Sequence, residues 1–92
     1  MKQKREKLKV VYDILKAIRS KNGEIKPTHV MYKANLSHQM LDMYLKDLID
    51  KELIVEHRLK GKKYYSITKK GMEYIEKYKV IIDFVDSFGL DY

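Results

Sequence analysis

The sequence predicts a mostly α-helical domain with one small β-hairpin, and three observations lead to that class. Apolar residues recur at helical spacing in separate stretches, the period shortens to about two between Ile54 and Ile67, and a polar break at Ala34-Asn35-Leu36-Ser37 divides two consecutive helical patterns. Ninety-two residues make one domain of modest size and stability. With no cysteine, the chain has no disulfide scaffold, thiol catalyst or cysteine-ligated zinc.

The first helix is read from Lys4 to Ser20, where Leu8, Val11, Tyr12, Leu15 and Ile18 form a stripe widened by Val10, Ile14 and Ala17. So wide an apolar arc marks a central helix. Lys21-Asn22-Gly23 ends it, and Glu24-Ile25-Lys26 runs extended because the residue before Pro27 is pushed out of helical geometry. A short helix follows from Thr28 to Ala34. Asn35 tolerates a left-handed backbone, Leu36 is a plug beneath both helix ends, and Ser37 caps the next helix, which extends to about Lys51. On that helix Met40, Tyr44, Leu45 and Leu48 are expected to face inward. His38, Gln39, Asp42, Met43, Lys46 and Asp50 would face outward.

Ile54–Leu59 and Lys63–Ile67 read as strands joined by a three-residue loop, Lys60-Gly61-Lys62. That register sets Val55 opposite Ile67 and His57 opposite Tyr65 on the inner face, with Arg58 opposite Tyr64 and Glu56 opposite Ser66 on the outer one. Helix, short strand, helix, turn, helix and hairpin, in that order, is a winged helix-turn-helix. Residues 1–70 would hold it. Residues 71–92 would form a C-terminal coiled-coil-like dimerisation helix and tail, capped by Thr68 and helical to about Phe88. Tyr74, Tyr78, Ile81, Val85 and Phe88 alternate by four and three along it, as in a coiled-coil seam, beside a second stripe of Met72, Ile75 and Ile82. One stripe can cover the chain's own domain while the other meets an identical helix.

The net charge of +7 favours nucleic acid or an anionic surface as partner. It is unevenly spread: +7 over residues 1–35, −2 over 36–53, +5 over 54–70 and −3 over 71–92. Around the hairpin tip Arg58, Lys60, Lys62 and Lys63 suit a phosphate backbone, with Tyr64 exposed beside them. The plain alternative for this tip is a solvated lysine-rich turn. Lys26, Thr28 and Lys33 could anchor the first helix of the motif on the backbone, and Ser37, His38, Gln39, Met43 and Lys46 would face the groove from the second. The N-terminal Lys2, Lys4, Arg5, Lys7 and Lys9 could touch DNA or simply solvate the chain end. The acidic side chains Glu73, Glu76, Asp83 and Asp86 would keep the terminal helix off DNA.

Met31-Tyr-Lys-Ala-Asn-Leu-Ser37, the following helix with Tyr44 and Leu48, Leu53-Ile54 opening the hairpin, and Ile67-Thr-Lys-Lys-Gly71 together resemble the archaeal winged-helix family containing the small "10a" chromatin-associated DNA-binding proteins. The similarity covers about residues 6–80. It implies a homodimer joined by antiparallel C-terminal helices, presenting two winged-helix units to double-stranded DNA.

The other chemistries find little footing. His29, His38 and His57 do not fall at paired ligand spacings, and His57 is expected to pack on Tyr65. The four glycines are scattered singly, so no phosphate-cradling loop exists. No catalytic residues, cofactor, metal or small-molecule substrate are expected. The absence of an apolar run of spanning length argues against a membrane partner and for a cytoplasmic, nucleoid-associated protein. The sequence thus predicts a DNA-binding winged-helix homodimer, chromatin-organising or regulatory. The alternative is a winged helix used for protein contact in transcription machinery.

Overall fold

Eighteen residues, Lys2–Arg19, form the long helix α1. The computed structural model describes residues 2–21 and 25–90. In chain order, α2 (Pro27–Ala34), α3 (His38–Asp50), β1 (Ile54–Leu59), β2 (Lys62–Ile67) and α4 (Lys69–Ser87) follow. This is the predicted mostly helical winged arrangement, with boundaries within two residues of those read from the sequence. The expected end of α1 at Asn22-Gly23, together with Glu24, lies outside the described residues.

The wide stripe of α1 is buried as its arc requires: Ile14, Leu15 and Ile18 are fully enclosed, with Val11 and Ala17 nearly so. The same core takes in Val30 and Ala34 of α2, Leu41, Leu45 and Leu48 of α3, Ile54 and Tyr65 of the hairpin, and Ile75 of α4. Ile25 is wholly buried and bridges antiparallel to Tyr65, so the short extended stretch before Pro27 covers one edge of β2. Leu36 packs against this core from the turn between α2 and α3, as expected of a plug.

Local chemistry sets the breaks. Asn35 adopts φ 55° after α2, and Ser37 Oγ accepts from Met40 N at 3.2 Å to open α3. Glu52, with φ 63°, ends α3, and Leu53 N donates to Leu48 O at 2.9 Å. Thr68 caps α4 by accepting from Gly71 N at 3.1 Å, while its hydroxyl donates to Glu52 O at 2.7 Å. Lys70 Nζ adds a bond to Lys51 O, so the end of α3 is clasped to the start of α4 across the base of the hairpin.

Two expectations are corrected. In α3 it is Leu41 that is buried, whereas Met40 is 44% exposed: the helix is turned so that the apolar face runs through Leu41, Leu45 and Leu48. The hairpin register is shifted by one residue, pairing Ile54 with Ile67, Val55 with Ser66, Glu56 with Tyr65 and His57 with Tyr64. The reason is the loop. Lys60 and Gly61 both take positive φ, 53° and 78°, making a two-residue turn whose twist matches the strands, and Lys62 joins β2. Ile54, Tyr65 and Ile67 therefore face the core, and Val55 and His57 turn outward. His57 stacks on Tyr64, with centroids 6.1 Å apart, rather than on Tyr65, and Nε2 shares a 3.0 Å hydrogen bond with Ser66 Oγ. Tyr64 is consequently half-buried, not exposed.

Candidate nucleic-acid interface

Three elements distant in sequence converge on one cleft of about 470 Å³, lined by Lys26, Pro27, Thr28 and Met31 from the start of α2, His38 and Leu41 from α3, and Lys62 and Lys63 from β2. The bridge from Ile25 to Tyr65 holds the entrance of α2 beside the hairpin, which is how Lys26 meets Lys62 and Lys63. Lys26 stands at the N-cap of α2 with no side-chain cap bond, and Pro27 has no N–H to offer, so the amide of Thr28 opens the helix. Three lysines and the starts of two helices on one surface make a place for an anion.

Five of the sequence-predicted residues thus share one wall: Lys26, Thr28, His38, Lys62 and Lys63. Arg58 and Lys60 extend it to the exposed hairpin tip. Gln39 and Lys46 lie exposed on α3, and Ser37 is used by its cap bond. Lys46 is not a free cation, for its ammonium lies 3.5 Å from Asp42 on the next turn. Asp47 likewise pairs with Lys51, whose hydrogen bond holds that carboxyl below the usual aspartate range. Two predicted residues fall elsewhere. Lys33 lines a separate surface with Asp13, Lys16 and Ser20, and Met43 lies toward Lys7 and Asp47. The cleft as a unit was not legible in the sequence, because the Ile25–Tyr65 bridge that assembles it is a single pairing between residues forty positions apart.

Helix α4 divides its apolar residues between two sides. Tyr74 and Tyr78 are occupied by α1: Tyr78 packs on Tyr12 with ring centroids 4.8 Å apart, and the Tyr74 hydroxyl donates to Leu8 O at 2.8 Å. Val85 is also buried within the chain. Of the predicted seam, Ile81 (49%) and Phe88 (66%) remain exposed, and with them Val80 (66%) and Phe84 (59%), which the sequence reading passed over. Their spacing of four, from Val80 to Phe84 to Phe88, was the available signal.

Among the described residues, no group of His, Asp and Glu could hold a metal ion, and no helix is long and apolar enough to cross a membrane.

A three-helix unit closed by a hairpin, with basic side chains along the hairpin and the helix starts, defines the winged-helix class. The chain belongs to the winged helix-turn-helix family, whose profile matches residues 4–85. It is 39% identical over 74 residues to an uncharacterized protein of Methanocaldococcus jannaschii, a match covering 80% of this chain and 32% of the relative. The chain thus spans about a third of the length of that curated relative. Among solved structures, it resembles Sso10a-2, a DNA-binding protein from Sulfolobus solfataricus, with a TM-score of 0.77 and 21% identity, covering 88% of this chain and 82% of the other. MepR, a transcription regulator of the Staphylococcus aureus multidrug efflux pump MepA, has a TM-score of 0.75 and 16% identity over 86% of this chain and 60% of its own. A MepR variant bound to an oligodeoxyribonucleotide matches at a TM-score of 0.74 and 16% identity, over 96% and 72% of the two chains.

Proposed function

We propose that this chain binds double-stranded DNA as a homodimer, acting as a chromatin-organising protein or small transcription regulator, with no catalytic role. The observation that carries this reading is the shared wall of Lys26, Thr28, His38, Lys62 and Lys63, which joins the hairpin to the starts of α2 and α3. Phosphate is the ligand that such a surface fits. Contacts of this kind position a protein on duplex without reading its sequence, and the acids on the outer face of α3 temper base recognition there. The DNA-binding and regulatory proteins with the same fold agree with this assignment. The dimer face in this reading is the exposed stripe Val80, Ile81, Phe84 and Phe88, because Tyr74 and Tyr78 are already covered by α1.

Titrating a fluorescent duplex at several salt concentrations tests the reading. If about six phosphates are neutralised, log K falls against log salt with a slope near −5. Absence of binding to any duplex at low salt would reject it. The pairing of Asp42 with Lys46 and the exposed Asp50 on α3 favour a second reading, a winged helix used for protein contact, which predicts that absence.

A further inference from the structure

The hairpin has one covered edge and one open edge. Ile25 bridges to Tyr65 beside β2, whereas among the described residues no strand pairs with the far side of β1. Val55 through Leu59 are all exposed, including two apolar side chains, Val55 at 49% and Leu59 at 57%. Charged residues commonly blunt such an edge. Here Glu56 and Arg58 have opposite signs, and among the described residues neither forms an ion pair.

The backbone limits what can pair with this edge. Leu59 and Lys62 close the two-residue turn, so in the alternating antiparallel ladder the N–H and C=O groups of Leu59, His57 and Val55 point toward β2. The bond from Thr68 N to Leu53 O continues the same alternation. Those of Glu56 and Arg58 therefore point outward, the only hydrogen-bonding groups that these five residues offer a further strand. In a symmetric antiparallel pair of β1 strands, outward-pointing residues must meet outward-pointing residues, so the two-fold axis has to pass through a residue. An axis at Glu56 sets two carboxylates face to face, and one at Arg58 sets two guanidinium groups face to face. Like charges directly opposite are unfavourable. An axis at His57 instead places Glu56 opposite the partner's Arg58 and Val55 opposite the partner's Leu59. Both the charges and the exposed apolar side chains are then matched.

We propose that β1 is a self-complementary edge through which two copies of this chain join their hairpins in an antiparallel pair centred on His57. This contact uses neither the α4 stripe nor the lysine cleft, and leaves the Lys60-Gly61 turn at the outer ends of the joined sheet. It is independent of the DNA-binding reading, and its test is performed without DNA.

Because the chain has no cysteine, introduced thiols report the contact without background. His57→Cys places two thiols at a non-hydrogen-bonded pair with Cα atoms about 4.5 Å apart, within disulfide range. Val55→Cys places its two thiols about 13 Å apart, too far to bridge. Under mild oxidation, the expected result is a covalent dimer for His57→Cys, none for Val55→Cys alone, and a mixed disulfide when Val55→Cys is combined with Leu59→Cys. Arg58→Glu in the His57→Cys background sets carboxylates against each other and should lower the yield several-fold, and adding Glu56→Arg should restore it. Failure of His57→Cys to cross-link, or equal cross-linking of Val55→Cys alone, overturns the proposal. These side chains are exposed, and circular dichroism on each variant checks that the fold is kept.

Discussion

The hydroxyl of Tyr74 in α4 donates to the carbonyl of Leu8 in α1 at 2.8 Å, tying together residues sixty-six positions apart. Burial, with lesser contributions from neighbouring Tyr78 and Tyr44, pushes the Tyr74 hydroxyl up to about 12. The unfolded chain would ionise the same hydroxyl near pH 10. A tyrosine with a raised folded-state value contributes stability that is fully present below about pH 10 and is lost as pH rises toward about 12. The melting temperature should therefore fall through that window. Tyr74→Phe should cost about 1 kcal/mol at neutral pH by removing the hydrogen bond, and should lessen the alkaline loss. Melting curves at pH 8 and pH 11 for both proteins provide the check. An identical alkaline loss in the variant would place its cause elsewhere.

Gly71 is a second point of sensitivity. A Cβ there would collide with Leu53 O and come within 2.6 Å of Ile67 Cγ1, where the base of the hairpin presses on the first turn of α4. Leu53 O already accepts from Thr68 N, so this backbone cannot retreat without losing a bond. Gly71→Ala should lower stability by roughly 1–3 kcal/mol, read from urea denaturation, although alanine is ordinarily the better helix former. An unchanged or higher midpoint would show that the hairpin base gives way more easily than this packing implies.

The elements of the fold were legible where local chemistry fixes them. Asn35 and Ser37 mark the turn, Pro27 the start of α2, and Thr68 the cap of α4. Side-chain direction was less legible where one residue decides it. Lys60 at positive φ is unusual for a side chain with a Cβ, so a count based on glycine alone gave a three-residue loop and exchanged Val55 and His57 for Ile54 and Glu56 on the inner face. In α3, Met40 and Leu41 are adjacent, and helical periodicity admits either beside Leu45 and Leu48. Packing into the core shared with α2 and the hairpin selects Leu41. For α4 the spacing revealed two stripes, but the one facing α1 was settled by contacts from Tyr12 and Leu8, which no local pattern encodes.

The basic cleft separates affinity from sequence preference. Lys62→Ala with Lys63→Ala should weaken binding to all duplexes about equally and make the salt slope shallower by about 2, since each phosphate contact contributes about 0.9. Gln39→Ala should alter the ranking of sequences, with changes of roughly 1–3 kcal/mol if its amide reads a base. Asp42→Asn should strengthen binding, because it releases Lys46 from its ion pair and removes a charge that repels phosphate. Anisotropy titrations against a panel of duplexes distinguish these effects. A double lysine variant that binds like the parent protein would move the docking surface away from the cleft.

The α4 stripe leads to the last prediction. Val80, Ile81, Phe84 and Phe88 are 49–66% exposed, and the rings of Phe84 and Phe88 lie 5.0 Å apart, forming one exposed apolar ridge along α4. Full burial of such a side chain contributes roughly 1.5–3 kcal/mol, and part of that remains available at these exposures. Four per helix on two helices can therefore offset the entropy lost on association. Ile81→Asp with Phe84→Asp places charges on the ridge without touching Tyr74, Tyr78 or Val85, which belong to the chain's own packing. This variant should keep its helical circular dichroism and lose the association that runs through α4, sedimenting as a smaller species than the parent protein at the same concentration. Val85→Asp, by contrast, should lower the melting temperature, because Val85 is buried within one chain. If the ridge variant sediments like the parent protein, subunits joined through α4 are ruled out, and the β1 edge becomes the contact to examine by cross-linking.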